Sequence, residues 1–128
     1  MSNVIFGVPN IVNNVREFHI KYGLGYKGPV RNLTRDQQKA RLEHLREEIS
    51  ELIIGFEDND REAILDACVD IVYVAIGTAY HHGFDFNEAW RRVHEANMKK
   101  IRGSTKRSAE DVIKPEGWKE PNLKDLIK

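Results

Sequence analysis

Five carboxylates on two neighbouring stretches have the type and spacing to hold a divalent cation. In "REEISEL" (residues 46–52), Glu48 and Glu51 are three apart, and Glu47 and Glu51 four apart. On a helix such pairs lie within about 60° and 40° of each other and border one acidic stripe. In "DACVDIVYVAIGTA" (residues 66–79), Asp66 and Asp70 are four apart and share one face of a segment that is otherwise almost wholly apolar. An ionised carboxylate in apolar surroundings is costly unless compensated, and Asp is a mediocre helix former away from the first turn. Blander explanations stand beside a metal site. The first stretch can be a solvated face. The second can be an exposed strip, or carry buried ion pairs to Arg41, Arg46 or Arg92. The connection between the stretches is short, which makes two helices antiparallel neighbours. Glu48 and Glu51 then lie about as far before the turn as Asp66 and Asp70 lie after it, and the four are expected to converge. Such a cluster needs a cation, and an all-oxygen donor set without His or Cys suits Mg²⁺ or Mn²⁺. Arg41, two turns before Glu48 on the same side, is a candidate phosphate contact.

The elements that must position these groups are legible from periodicity. A first helix is predicted from Asn10 to Tyr22, with Ile11, Val15, Phe18 and Tyr22 at helical spacing. The Gly- and Pro-containing "YGLGYKGPVRNL" reads as a connecting loop. "TRDQ" has the form of a capping box that opens a second helix near Thr34, with Leu42, Leu45, Ile49, Leu52, Ile53 and Phe56 as its apolar face. Asn59 and Glu62 form a possible capping pair for the third helix, which runs to about His82 and stops at Gly83. That helix is apolar on nearly every side, so it is expected to be central or to lie at a subunit interface, with Ile71, Val72, Val74 and Ala75 at or near the contact. "DFNE" (residues 85–88) caps a fourth helix that carries Trp90, Val93, Asn97 and Ile101 and ends at Gly103. The polar remainder reads as an extended arm with a short turn near its end. The expectation is one all-α domain over residues 1–128: an antiparallel bundle of about four helices, core about 10–103, arm 104–128, and oligomeric.

Composition narrows the function classes. The 128 residues include 20 Lys and Arg and 20 Asp and Glu, a formal net charge of zero. That disfavours a generic nucleic-acid or membrane-surface binder, whose affinity rests on excess positive charge. The single Cys68 excludes an internal disulfide framework and fits a reducing, cytoplasmic setting. No membrane span and, in "MSNVIFGVPN", no signal peptide are expected. Cys68 reads as core packing, Tyr73 as core rather than a base contact, and His81 and His82 as serving the helix dipole or a surface. Trp118 is a candidate anchor of the arm on a neighbouring subunit.

"EEISE" followed by "DACVDIVYVAIGTA" resembles the MazG-like, all-α nucleoside triphosphate pyrophosphohydrolases, a superfamily that includes dimeric dUTPases and phosphoribosyl-ATP pyrophosphohydrolases. Its hallmark is Glu-x-x-Glu on one helix and Glu-x-x-Asp on the next. Glu48 and Glu51 match the first half, Glu47 supplies the frequently doubled acid, and Asp70 matches the final Asp. The hallmark Glu is replaced by Ala67, with Asp66 one residue earlier. "YGLG", "GTAYHHGFD" and "VHEANMKKI" are similar to a phosphoribosyl-ATP-pyrophosphohydrolase-like subgroup of bacteria and phages, and the resemblance covers roughly residues 12–123.

The resemblance implies Mg²⁺-dependent hydrolysis of a nucleoside triphosphate, expected to be a deoxynucleotide, between the α and β phosphates. Glu48, Glu51, Asp66 and Asp70 would bind metal. Glu47 or Glu48 would orient or deprotonate water. Asn97 and Lys100 in "NMKK" would meet phosphate or sugar. It also implies a homodimer or homotetramer acting on a nucleotide, with neither nucleic acid nor membrane as partner. Phosphoribosyl-ATP hydrolysis is the enzymatic alternative, and a non-catalytic helical interaction protein the alternative from another class.

Overall fold

A computed structural model describes residues 10–128; the reading of "MSNVIFGVPN" as lacking a signal peptide lies, Asn10 excepted, outside the described residues. The chain divides into two compact units, one ending at Phe84 and the other spanning Asp85–Lys128. The fourth helix falls in the second unit, together with residues 104–128.

The first unit holds α1 (Ile11–Lys21), α2 (Arg35–Glu57) and α3 (Arg61–His82). Each start has a chemical cause. The Asn10 side chain accepts from Asn13 N–H. Thr34 and Gln37 form the predicted capping box in full, each side chain bonding the other residue's backbone N–H. The third cap differs from expectation. Asp60, not Asn59, accepts from Ala63 N–H, because Asn59 sits in the left-handed region with φ 51° and terminates α2. Asp60 N–H reaches Gly55 C=O and Asn59 N–H reaches Phe56 C=O, the paired bonds of a Schellman ending. α3 closes the same way, at Gly83 with φ 79°, as expected.

The three-residue connection from Asp58 to Asp60 folds α3 back antiparallel on α2, and α1 packs on α3. The buried apolar side chains of this unit are Val15, Leu33, Ala67, Val74 and Ile76. The loop between α1 and α2 is pinned to the end of α3: Tyr80 Oη accepts from Tyr26 N–H at 2.8 Å, and Arg31 Nε donates to His81 C=O at 2.8 Å. The Arg31 guanidinium also lies 3.6 Å above the Tyr26 ring.

Much apolar surface stays uncovered. Leu42, Ile49, Ile53 and Phe56 on α2 and Leu65, Val69 and Val72 on α3 are exposed. This revises the interface candidates on α3. Val74 is 4% exposed and belongs to the chain's own core, and Ile71 is half-buried; Val72 and Ala75 remain exposed. Cys68 is exposed rather than a core residue, on a groove it shares with Ile11, Val15, Val69 and Tyr73. α3 also corrects the expectation that no segment approaches a membrane span. By length and composition it is long and apolar enough to cross one, with mean hydropathy 1.6.

The second unit holds α4 (Phe86–Asn97), β1 (Ile101–Gly103), β2 (Asp111–Ile113) and a 3₁₀ turn (Lys124–Leu126). Asp85 caps α4 through Glu88 N–H, as "DFNE" implies. The helix ends at Asn97, short of the expected Gly103. Ile101 pairs with Ile113 and Gly103 with Asp111 in an antiparallel ladder, so the β-branched Ile101 continues the apolar period of α4 without belonging to it. The arm is accordingly part hairpin. Trp118 is anchored within its own chain: its Nε1 donates at 2.7 Å to the Ala96 carbonyl near the end of α4, which also accepts from Lys99 N–H.

Candidate functional site

A seven-residue ladder on α2 meets positions seven and then six residues apart on α3. Arg41, Glu48 and Gly55 face Gly77, Asp70 and Ile64, running in opposite directions. Glycine permits the close approach at both ends. A Cβ on Gly55 would stand 3.0 Å from Ile64 Cγ1 and 3.3 Å from the Ile64 backbone nitrogen. One on Gly77 would stand 2.7 Å from Arg41 Nη2 and 3.0 Å from His19 Cε1. Arg41 fills that space, donating from Nε to Thr78 Oγ1 at 2.9 Å and from Nη2 to Val74 C=O at 2.7 Å.

Between these ends the acids meet. Glu48, Glu51 and Asp70 each place a carboxylate oxygen in a group whose atoms lie within 4.8 Å of one another. Glu48 is 9% exposed, Asp70 half-buried and Glu51 exposed. Glu48 Oε2 is the one buried side-chain polar atom among the described residues that has no hydrogen-bond partner. Its Oε1 lies 3.4 Å from His44 Nε2. Burial, then the neighbouring Glu51 and Asp70 charges, push the Glu48 carboxyl above its ordinary value, with His44 working against them. A buried carboxylate oxygen without a partner is costly. Three converging hard oxygen donors fit a divalent cation, which would relieve that cost.

Asp66 and Glu47 stand outside the group, and both are exposed. The buried position one turn before Asp70 is Ala67, 1% exposed; Asp66 is a neighbour of that slot, not its occupant. Ion pairing does not account for the acids. Among the described residues no Arg or Lys bridges Glu48, Glu51, Asp66 or Asp70, and Arg92 pairs with Glu88 and Asp125 in the second unit. Asn97 ends α4 and is exposed, and Lys100 Nζ lies 5.2 Å above the Trp118 ring; both belong to the second unit.

A cleft of about 450 Å³ opens beside Glu48 and Asp70, lined also by Phe18, His19, Leu24, Arg41, His44, Tyr73 and Val74. Arg41 thus reaches the cleft, with two of its nitrogens committed to α3. Tyr73 lines it too, one turn past Asp70. Four lining residues escaped the sequence reading. His44 had a signal, since it lies four before Glu48. His19 had a fainter one, a polar residue four after the core Val15. Phe18 was assigned to packing, and Leu24 sits in a loop without periodicity. The His81 imidazole, edge-on to His19 with ring centroids 4.6 Å apart, is held down to about 4, chiefly by burial and then by His19 and Arg41.

Comparison with known proteins bears on what such a site serves. A stretch of 49 residues is 39% identical to the uncharacterised protein L479 of Acanthamoeba polyphaga mimivirus, covering 38% of this chain and 20% of that protein. The chain therefore matches about a fifth of that relative's length. The family model of phosphoribosyl-ATP pyrophosphohydrolase matches residues 15–97, a span that contains all three grouped carboxylates and the whole cleft lining. The chain belongs to the phosphoribosyl-ATP pyrophosphohydrolase family, within the MazG-like all-α nucleoside triphosphate pyrophosphohydrolases.

Proposed function

We propose that this protein is an Mg²⁺-dependent pyrophosphohydrolase that cleaves a nucleoside triphosphate, preferably a deoxynucleotide, into nucleoside monophosphate and pyrophosphate. The observation that carries the reading is the group of Glu48, Glu51 and Asp70, with a buried, partnerless Glu48 oxygen, at the edge of a cleft of nucleoside size. These three side chains would hold the cation; Mn²⁺ has the same ligand preferences. A bound Mg²⁺ neutralises phosphate charge and lowers the pKa of water. With Glu48 engaged, Glu47 beside it on α2 is the carboxylate left to accept a proton from the attacking water. Arg41 adds positive charge to the cleft while its hydrogen bonds to Thr78 and Val74 hold it in place.

The uncovered stripe on α2 and α3 supports a second proposal, that the protein works as a homodimer or a dimer of dimers. Leu42, Ile49, Ile53, Phe56, Leu65, Val69 and Val72 are large apolar side chains left exposed on α2 and α3, the kind of surface that interaction sites carry. A self-complementary contact between two copies would cover it. On this reading the apolar length of α3 serves the core and the subunit contact, not a bilayer.

The name of the matching family favours a second substrate, phosphoribosyl-ATP, which offers the same bond for cleavage. One panel separates the readings: pyrophosphate release from ribo- and deoxynucleoside triphosphates, dUTP and dCTP included, and from phosphoribosyl-ATP, with and without Mg²⁺. Release that needs the metal and is lost in Glu48→Gln, Glu51→Gln and Asp70→Asn supports the enzyme. Inertness towards every compound would leave the non-catalytic interaction protein. Sedimentation at micromolar concentration tests assembly, and an active species near 15 kDa would refute the dimer.

A further inference from the structure

Arg41, His44 and Glu48 all line the cleft from α2, at spacings of three and four that keep them on one face of the helix. Arg41 is bound to α3 through Thr78 and Val74, and Glu48 belongs to the proposed cation site. His44 takes no part in either. Its side chain is 51% exposed, and its Nε2 lies 3.4 Å from Glu48 Oε1. Side chains on a helix lean toward its N-terminus, so Glu48 reaches back over the turn that carries His44. Among the described residues, His44 is the one donor in contact with the Glu48 carboxylate.

The two oxygens of that carboxylate are therefore unlike. Oε1 meets the ring nitrogen, whereas Oε2 is buried without a hydrogen-bond partner. An ionised carboxylate only accepts, so contact with it selects the imidazole form that carries a proton on Nε2. At 3.4 Å the contact is longer than a formed hydrogen bond. A cation among Glu48, Glu51 and Asp70 would hold Glu48 ionised, and hydrogen bonds to ionised acceptors are shorter and stronger than neutral ones. A bond on Oε1 also restrains the terminal torsion of the side chain, which is broad in a free glutamate.

We infer that His44 is a positioning residue for the cation: its Nε2–H holds Oε1 of Glu48, so that the carboxylate meets the metal through Oε2. The inference rests on the proposed cation site. His44 itself stays off the metal, since the ligand atoms that converge are those of Glu48, Glu51 and Asp70, without an imidazole nitrogen. Partners that orient a ligating carboxylate in this way set metal affinity without touching the ion. Two other roles for His44 predict different behaviour. A plain wall of the cleft needs only the bulk of a ring. A phosphate contact acts on the nucleotide and leaves binding of the bare metal unchanged.

The test is binding of Mn²⁺ to the full chain without nucleotide, with free Mn²⁺ followed by electron paramagnetic resonance. His44→Phe keeps a ring and loses the donor, and it should weaken binding about tenfold. His44→Gln keeps a side-chain N–H at similar reach and should stay within about threefold of the wild type. Because the effect passes through Glu48, adding His44→Phe to Glu48→Ala should change affinity by less than about twofold. Undiminished binding in His44→Phe overturns the inference. So does a His44→Gln as weak as His44→Phe, or a loss as large in the Glu48→Ala background as in the wild type. A nitrogen hyperfine coupling on bound Mn²⁺ that vanishes in His44→Phe overturns it too, by making His44 a ligand. His44→Ala takes the place of His44→Phe should that variant lose helical content. Failure of the wild type to take up Mn²⁺ would overturn the cation site and this inference together; uptake that ignores His44 would overturn the inference alone.

Discussion

The Arg41 guanidinium occupies the space that Gly77 leaves open on α3: Nη2 would stand 2.7 Å from any Cβ placed there, and it donates to the carbonyl of Val74, one turn earlier. Seven residues along α2 from Arg41, and seven back along α3 from Gly77, Glu48 meets Asp70. Arg41 thus acts on the carboxylates at a distance, by fixing the register in which two helices bring them together.

Gly77→Ala tests that register. The methyl group must displace Arg41 from two hydrogen bonds or push back the His19 ring, 3.0 Å away at Cε1. Overpacking of this kind costs about 1–3 kcal/mol, offset in part by the roughly 1 kcal/mol that alanine gains over glycine inside a helix. Urea unfolding should show a lower midpoint; an unchanged or higher one would mean that the contact is slack. Gly55→Ala should destabilise for a harder reason, since one of its neighbours, at 3.3 Å, is the backbone nitrogen of Ile64.

Two groups, Glu48 buried and His81 half-buried, give the metal-free protein opposing pH slopes. Burial, with Glu51 and Asp70, raises the Glu48 carboxyl from 4.5. The folded chain therefore keeps a proton that the unfolded chain has released, and stability from this group falls as pH rises from about 4.5 through the raised value. His81 is lowered from 6.5 to about 4. Its contribution is full above 6.5 and is lost as pH falls from there to about 4. In Glu48→Gln only the second slope remains. Urea midpoints of the metal-free variant should climb between pH 4.5 and 6.5 more steeply than those of the metal-free wild type. Parallel profiles would show that Glu48 titrates as an ordinary carboxylate.

Periodicity and caps made α1 to α3 legible almost to the residue, because each start has a side chain that satisfies a free N–H and the ends of α2 and α3 have residues able to adopt positive φ. The same reasoning brought Glu48, Glu51 and Asp70 together, since an antiparallel pair with a short turn leaves little freedom of register. It failed for Asp66, because spacing by four identifies a shared face without saying which neighbour fills the buried slot, here Ala67. It failed at Ile101, where the ladder partner Ile113 is twelve residues on and carries no helical signal. Leu24 lines the cleft through tertiary placement alone, which local pattern does not encode.

Trp118→Phe tests the anchor in the second unit. The ring survives but the bond from Nε1 to the Ala96 carbonyl is lost, at a cost of about 1 kcal/mol in that unit. Amide exchange at the C-terminal end of α4 should quicken at every protein concentration. Quickening that appears only on dilution would instead tie Trp118 to a neighbouring subunit.

The central claim is that helix register makes a cation site of Glu48, Glu51 and Asp70, and titration of Mn²⁺ into metal-free protein, with free Mn²⁺ followed by electron paramagnetic resonance, tests it most directly. No nucleotide is needed, so substrate choice does not enter. The wild type and Asp66→Asn should take up Mn²⁺ alike, while Glu48→Gln, Glu51→Gln and Asp70→Asn should each weaken binding at least about tenfold. Wild-type affinity retained in Glu48→Gln, or a loss in Asp66→Asn as large as in Asp70→Asn, would contradict the account.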